Sequence, residues 1–304
     1  MASKVLFDRK WKIELKTSSK SRTIRDLKVT FNIKNTLLGD PSLASFQIYN
    51  INEETQAMLS DFTCVISFHA GYYSDNDNDW NVLFTGEVTN CYELRQQTER
   101  VWNVWARNSF SLLTQTNPSN FTVVNPISTK AILERLVKDA KSLSGSPLYI
   151  NNCDKKLLSV EDEEDYSPLG TFSEEFDDLL LKHGLGWQVQ QDELVVFDKE
   201  STDPGSLEGD AIKVGRETGM LTKPIVDYTG VNFTHLLDGR FRPSKIIEVE
   251  PNTIKYNLGN EFYVKQDKTQ WRAKGKFRIF EVTHKGDTRG DKWETEVIAF
   301  YRRN

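Results

Sequence analysis

No stretch of this sequence comes near the roughly 20 consecutive apolar residues that a membrane-spanning helix needs. Its opening, MASKVLFDRKWK, carries charge but lacks the apolar centre of a signal peptide, so a secretory leader is not expected. Histidine is scarce. The 4 histidines, His69, His183, His235 and His284, are scattered, without the H-x-x-x-H or Cys/His spacings that hold zinc. The 3 cysteines, Cys64, Cys91 and Cys153, are odd in number and widely spaced, which points to free thiols in a reduced, cytoplasmic chain rather than a disulfide framework. The G-x-S-x-G elbow, the Walker A loop and the dinucleotide fingerprint are all missing. No catalytic group, cofactor site or metal site is therefore expected. Positive charge is in deficit too. With 39 Lys and Arg against 44 Asp and Glu, the net charge of −5 argues against a surface that grips nucleic acid by its phosphates. A channel through which DNA slides without sticking is compatible with that balance.

What is present is alternation. The 304 residues, 38% apolar and 27% charged, suit a soluble globular protein of two or three domains. From residue 1 to 116, apolar residues recur at every second position: Trp11, Ile13 and Leu15; Val29, Phe31 and Ile33; Phe46 and Ile48; Ile66, Phe68 and Ala70; Val82 and Phe84; Trp102 and Val104. Short strands at that spacing predict a sandwich or barrel. Glu53 to Leu59 reads as one short helix. Between 117 and 208 the period changes. Ser128 can cap a helix with Ala131, Ile132, Leu136, Val137, Ala140 and Leu143 on one face, ending near Gly145-Ser146-Pro147. A second helix, starting near Ser173 and carrying Phe176, Leu179 and Leu180, stops at Gly184. Strands around Trp187–Val189 and Leu194–Phe197 follow, making a small α+β module. Residues 209 to 304 return to β patterning. A faint internal repeat links the two β segments: Pro41-Ser42 with Pro243-Ser244, Glu87-Val88-Thr89 with Glu281-Val282-Thr283, and Trp102 with Trp293.

Several local features invite a chemical reading and fail it. Asp75-Asn76-Asp77-Asn78-Asp79 opens like a calcium loop, but the required glycine and glutamate positions hold Trp80 and Gly86. The acidic run Glu161-Asp162-Glu163-Glu164-Asp165 reads as a solvated loop. His284 lies close in sequence to Asp287 and Asp291, which reads as a polar pin at the foot of a hairpin rather than a general base. Nothing singles out a glycosidase-type carboxylate pair. Arg289-Gly290-Asp291 spells an adhesion tripeptide that turns produce often. Trp11, Trp102, Trp105, Trp271 and Trp293 read as core or interface residues, with Trp80 the one expected at the surface.

The C-terminal stretch is the most informative. Phe277 and Ile279, then Trp293, Thr295, Val297 and Ala299, alternate on either side of a Gly- and Asp-rich reversal, which predicts a β-hairpin. Within it, Val282, His284, Gly286, Asp287, Thr288, Gly290 and Trp293 spell V-x-H-x-G-D-T-x-G-x-x-W. That pattern resembles the C-terminal signature of baseplate hub proteins from contractile-tailed phages. Gly219 to Pro224, with Leu236-Leu237-Asp238 and Pro243, is similar to a second family stretch. Asp40 to Asn50 is similar to a third, with Ser42 where the family has Asn and Ile51 where it has Leu. The matches span residues 40 to 300 in the family's order.

The resemblance implies two related tail-tube-like β-barrel domains, 1–116 and 209–304, flanking the α+β module at 117–208. It further implies a structural virion protein of the tail baseplate, assembled in the bacterial host cytoplasm. Such a protein is a homotrimer that adapts the sixfold tail tube to the threefold central spike. Its partners would be the spike protein, the tube protein, neighbouring baseplate proteins and DNA passing through the lumen. The alternative is a carbohydrate-binding β module using exposed aromatics. A peptidoglycan hydrolase is disfavoured, because the three assigned domains leave no room for a lysozyme-sized one.

Overall fold

Strand β1 (Arg9–Lys16) turns Ile13 and Leu15 inward while Lys12 and Glu14 face out and pair at 2.5 Å, so its period of two is a direct record of one buried face. The same logic runs through the computed structural model. It describes residues 8–37, 41–73, 81–96, 98–108, 110–124, 127–144, 149–151, 161–162, 165–190, 193–198, 211–226, 230–250, 255–256 and 275–300. The Asp/Asn loop at 75–79 with Trp80, Cys153, Trp271, the 145–147 helix stop and Glu163-Glu164 of the acidic run lie outside them.

After β1 come β2 (Ser21–Ile24), β3 (Val29–Thr36), β4 (Leu43–Tyr49), α1 (Glu53–Leu59), β5 (Val65–Tyr72), β6 (Val82–Gln96) and β7 (Glu99–Arg107). Asn52 caps α1 by accepting the Thr55 N–H at 3.0 Å. The core of this segment is aromatic. Phe31, Phe68, Phe46 and Phe84 meet one after another in tilted and edge-on contacts, with centroids 4.5 Å apart for Phe31–Phe68 and 5.4 Å for Phe46–Phe68. Cys64 is free and buried there, and burial pushes its thiol up to about 11, so it behaves as a small hydrophobe.

The inserted segment holds α2 (Phe110–Gln115), β8 (Ile127–Ser128), α3 (Thr129–Ser144), β9 (Tyr149–Asn151), β10 (Glu161–Asp162), α4 (Phe172–Leu181), β11 (Leu185–Gln190) and β12 (Glu193–Asp198). β11 and β12 form an antiparallel hairpin, and β9 joins β12 in parallel. Ile132, Leu133 and Leu136 of α3 and Phe176 and Leu180 of α4 are fully buried with Leu113, Trp187 and Val196. α4 starts within one residue of Ser173, as its pattern predicts, and its cap is Thr171, which forms a reciprocal capping box with Glu174. Gly184, at φ +70, turns the chain out of the helix and into β11, a conformation costly for other residues. Glu175 turns inward and accepts hydrogen bonds from Leu169 N and Gly170 N, both at 2.7 Å, and from the Tyr166 hydroxyl at 2.6 Å.

The chain then returns through β13 (Ile212–Val214), β14 (Ile225–Val226), β15 (Gly230–Leu236), β16 (Ile246–Val249), β17 (Lys255–Tyr256), β18 (Lys276–Asp287) and β19 (Trp293–Phe300). Val214, Val231, Phe233, Phe241, Ile247 and Val297 build its core. All strands outside the insert join one 14-stranded sheet. Chain contacts divide the protein into a unit drawn from 1–37, 42–107 and 210–304, and a second from 38–41 and 108–209. Helix α2 thus belongs to the insert, not to a first domain ending at 116, because Leu113 packs into the insert's core.

The two β segments share a strand order. In the first, neighbours run β3-β4-β7-β6-β5-β1; in the second, β14-β15-β19-β18-β16-β13. Taken in chain order these are the same connections twice, except that β1 meets β5 antiparallel whereas β13 meets β16 parallel. The Glu-Val-Thr and tryptophan marks fall on equivalent strands, β6 with β18 and β7 with β19. The Pro-Ser marks do not: one precedes β4 and the other β16, so they are no part of the repeat.

Replacing Glu175 with Ala would strand two backbone N–H groups and a tyrosine hydroxyl, and should cost the inserted segment about 2–4 kcal/mol. Urea unfolding of wild type and variant measures it.

Candidate functional site

β18 serves two partners along one edge. Lys276–Arg278 pair with β16, and from Glu281 to Asp287 the strand pairs with β3 instead. Phe280, between those runs, is an extra residue against β19, where Ile279 faces Ala299 and Glu281 faces Ile298. Its carbonyl accepts the Leu37 N–H at 2.8 Å. A one-residue bulge shifts side-chain parity. Phe277 and Ile279 are the buried aliphatic and aromatic set before it; Val282, His284 and Gly286 are buried after it. β19 has no bulge and buries Trp293, Thr295, Val297 and Ala299 throughout.

The signature residues occupy distinct places along this strand pair. Val282 is fully buried in the second core. Gly286 lies under two rings: a Cβ there would come within 2.5 Å of Phe31 and 2.8 Å of Trp293. Trp293 packs edge-on against Phe31, centroids 5.3 Å apart, and so belongs to the core of the first β segment. At the reversal, Asp287 Oδ1 accepts the Arg289 N–H at 2.8 Å, and Asp287 N donates to Lys292 O at 2.9 Å. Thr288 stitches the tip to β3. Val29 N donates to its hydroxyl at 2.9 Å, and Thr288 N donates to Val29 O at 2.9 Å. Gly290 offers its carbonyl to Arg9, whose guanidinium bonds Gly290 O at 2.5 Å and Asp291 O at 2.8 Å and lies 5.4 Å from the Trp293 ring.

His284 is buried at 1% exposure, and its ring meets Thr295, not Asp287 or Asp291. Alternation sends it inward, whereas the two aspartates stay with the turn. Thr295 Oγ1 accepts the Asp238 N–H at 3.1 Å and stands 2.9 Å from His284 Nδ1. Thr295 Oγ1 is thus the hydrogen-bond partner of His284 at Nδ1 while it accepts an amide. Burial pushes His284 down to about 4; the Asp238 carboxylate opposes that shift and Arg242 adds to it. Asp238 is itself buried and held by Arg240, with Nε at 2.9–3.0 Å and Nη2 at 2.5 Å. This is a lock and not a reaction centre, for the imidazole has no solvent access and faces a hydroxyl already committed elsewhere. Among the described residues no group of three or more His, Cys, Asp or Glu could hold a metal ion.

Of the other two family-like stretches, the one with Leu236-Leu237-Asp238 reaches the same joint. Leu237 lies in the first core and donates its N–H to Trp293 O at 3.1 Å. Asn50, at φ +55, closes β4 and accepts the Arg100 N–H at 3.1 Å. Arg9 and Arg240 escape the sequence reading, and Phe31 enters it only as a strand residue, since their partners are fixed only by the tertiary pairing. Thr295 was legible through its place between Trp293 and Val297.

No protein-family model matches the chain, and no curated protein matches it. Solved structures do match in fold. The tail protein from Neisseria meningitidis MC58 superposes with a TM-score of 0.56 at 11% identity, covering 96% of this chain and 97% of that one. The 43 kDa tail protein of prophage MuSo2 from Shewanella oneidensis gives 0.55 at 10% identity, with 96% of each chain covered. The E. coli c3393 protein is a component of the type VI secretion system with structural similarity to T4 bacteriophage tail proteins gp27 and gp5. It gives 0.53 at 14% identity, covering 95% of this chain and 79% of that one. The chain therefore has, over nearly its whole length, the mainly β fold of phage tail proteins.

Two outcomes follow for the lock. Gly286→Ala should cost about 1–3 kcal/mol, read as a lowered urea midpoint, because neither ring can retreat from the added methyl without opening the core. Acid should weaken the fold through His284. Its folded value near 4 lies below the unfolded 6.5, so the unfolded chain binds the extra proton between them. That stability is complete above pH 6.5 and is lost as pH falls towards 4, by about 3 kcal/mol in all. His284→Gln should flatten the dependence of unfolding free energy on pH across that window. The slope should not vanish, because burial also lowers His69 and His235.

Proposed function

We propose that this chain is a structural subunit of a phage-type tail baseplate: a hub that forms a homotrimeric ring between the sixfold tail tube and the threefold central spike. It works by presenting surfaces rather than by catalysis. The observation that carries the reading is the strand order repeated within one chain, on a fold that matches tail proteins end to end. A threefold ring presents six similar surfaces to a sixfold tube when each subunit carries two.

The junction inside the chain indicates how the ring closes. Past its bulge, β18 takes β3 as a partner. Its counterpart β6 has a matching bulge, at Thr89 between Val88 and Asn90, once β5 has left it at Glu87. Beyond Val88 the outer edge of β6 has no backbone partner among the described residues. An open edge of that length invites another strand. In the ring, the β14–β17 end of a neighbouring subunit's sheet fills it, repeating between chains the contact that β3 makes with β18. DNA passes through the lumen without specific contacts. Neighbouring baseplate proteins cover the outside, and assembly takes place in the host cytoplasm.

A carbohydrate-binding module remains the second reading, favoured by the stack of Tyr92, 43% exposed, on Trp105 at 5.1 Å. Glycan binding that Tyr92→Ala abolishes would favour it over the hub.

Light scattering should find three subunits of 35.0 kDa each, about 105 kDa together. Tyr92→Lys with Leu94→Lys, on the open edge, should return the chain to one-subunit mass with an unchanged melting curve. A wild type that stays monomeric at every concentration, and forms no threefold ring when assembled with a spike, ends this reading. So does hydrolysis of peptidoglycan by the purified chain.

A further inference from the structure

The tip of the β18–β19 hairpin does more than clip the sheet together; it also forms one wall of a cleft of about 590 Å³. Arg9, Lys10, Arg25 and Arg289 bring four cationic side chains to its lining, and Asp26 is the one carboxylate there among the described residues. Trp11 and Tyr73 supply aromatic surface, and the Tyr73 ring is 56% exposed. In a chain whose net charge is −5, this is a local inversion of sign.

Two of the guanidinium groups are set in place by main-chain carbonyls, with no carboxylate bonded to either among the described residues. Arg9 is held by the carbonyls of Gly290 and Asp291, and Arg289 by the carbonyl of Asp26 at 2.9 Å. Backbone carbonyls fix the planes of these groups and leave their full charges in the cleft. A guanidinium fixed in this way has lost its rotamer freedom before any ligand arrives, so binding costs less entropy. Its fork matches a carboxylate.

We infer that this cleft docks a short acidic peptide segment of a partner protein, its carboxylates on Arg9, Arg25 and Arg289 and its main chain against Trp11 and Tyr73. The wall itself separates a peptide from a nucleic acid. Asp26 repels a continuous phosphate backbone, which in DNA offers it no hydrogen-bond donor, but it accepts the N–H groups of a peptide. The net negative field of the chain likewise disfavours a long polyanion and tolerates a few carboxylates in a compact site. This docking goes beyond the hub reading and does not depend on it.

The test uses the full chain and a fluorescein-labelled octapeptide of alternating Glu and Gly, followed by fluorescence anisotropy at low salt. Saturable binding should appear and should weaken at least about tenfold in the Arg25→Glu, Arg289→Glu double variant, a change of about 1.4 kcal/mol. Both side chains are exposed, and circular dichroism verifies that the variant is folded. The Asp26→Asn variant should bind the peptide no tighter than wild type, because the carboxylate serves the peptide N–H groups. Absence of binding overturns the inference, as does binding indifferent to the charge reversal. An oligothymidylate of equal length that binds as tightly as the peptide also overturns it, in favour of a general polyanion site. None of these failures touches the trimer measurement, so the two proposals fall separately.

Discussion

One strand has to satisfy two sheets. β18 leaves β16 and takes up β3 within a few residues, and the price of that change is the single extra residue at Phe280. Without the bulge, a straight strand of this length would run on beside one partner. With it, the strand bends and its inward residues switch from odd to even positions. Phe277 and Ile279 then serve one core, while Gly286 comes under Phe31 in the other. Much of the joint follows from that geometry. The tip lands where Thr288 can exchange hydrogen bonds with Val29, and Trp293 fills the space over Gly286. His284 lies midway, where apolar surroundings force it neutral and Thr295 gives it a partner.

The V-x-H-x-G-D-T-x-G-x-x-W pattern thereby acquires a physical meaning that does not involve chemistry on a substrate. Small, polar and aromatic residues alternate because each sits at a different depth of one joint. Glycine is there for ring clearance, threonine for the stitch and tryptophan for the plug. A joint of this kind suits a protein whose work is to hold shape while neighbours load it. Among the described residues the bulged β6 offers the same construction without a second partner.

Much of this was legible in the sequence. Period-two burial located β1, β3, β4, β5, β6 and β7, and the change to a helical period marked the insert. Helix α1 has the bounds that Glu53 to Leu59 suggest. The switch from Phe277 and Ile279 to Val282 and His284 is written in the sequence too, as two alternating runs out of step, although only the pairing shows what the step is for. What local patterns could not supply was distance. Arg9 reaches Gly290 across 281 residues, and nothing near either of them announces the other. The partner of His284 was hidden for a related reason: the histidine lies close in sequence to Asp287, yet alternation carries its ring to Thr295 on the neighbouring strand. The Pro-Ser marks looked like a repeat because dipeptides recur by chance, whereas the strand order they were meant to trace is repeated in fact.

The plug formed by Trp293 and Leu237 also bears on the order of events during synthesis. The first β segment has its own strands early, but the ring that completes its core, and the threonine that ties down β3 at a separation of 259 residues, are translated far later. Until then Phe31 has no tryptophan above it and β3 has one bare edge. The early segment must wait on the ribosome in an unfinished state, with an exposed strand edge that a chaperone or another nascent chain can find first. Contacts this remote also make the final closure slow. The contacts that complete the first core are the ones that leave the beginning of the chain incomplete for most of its own production.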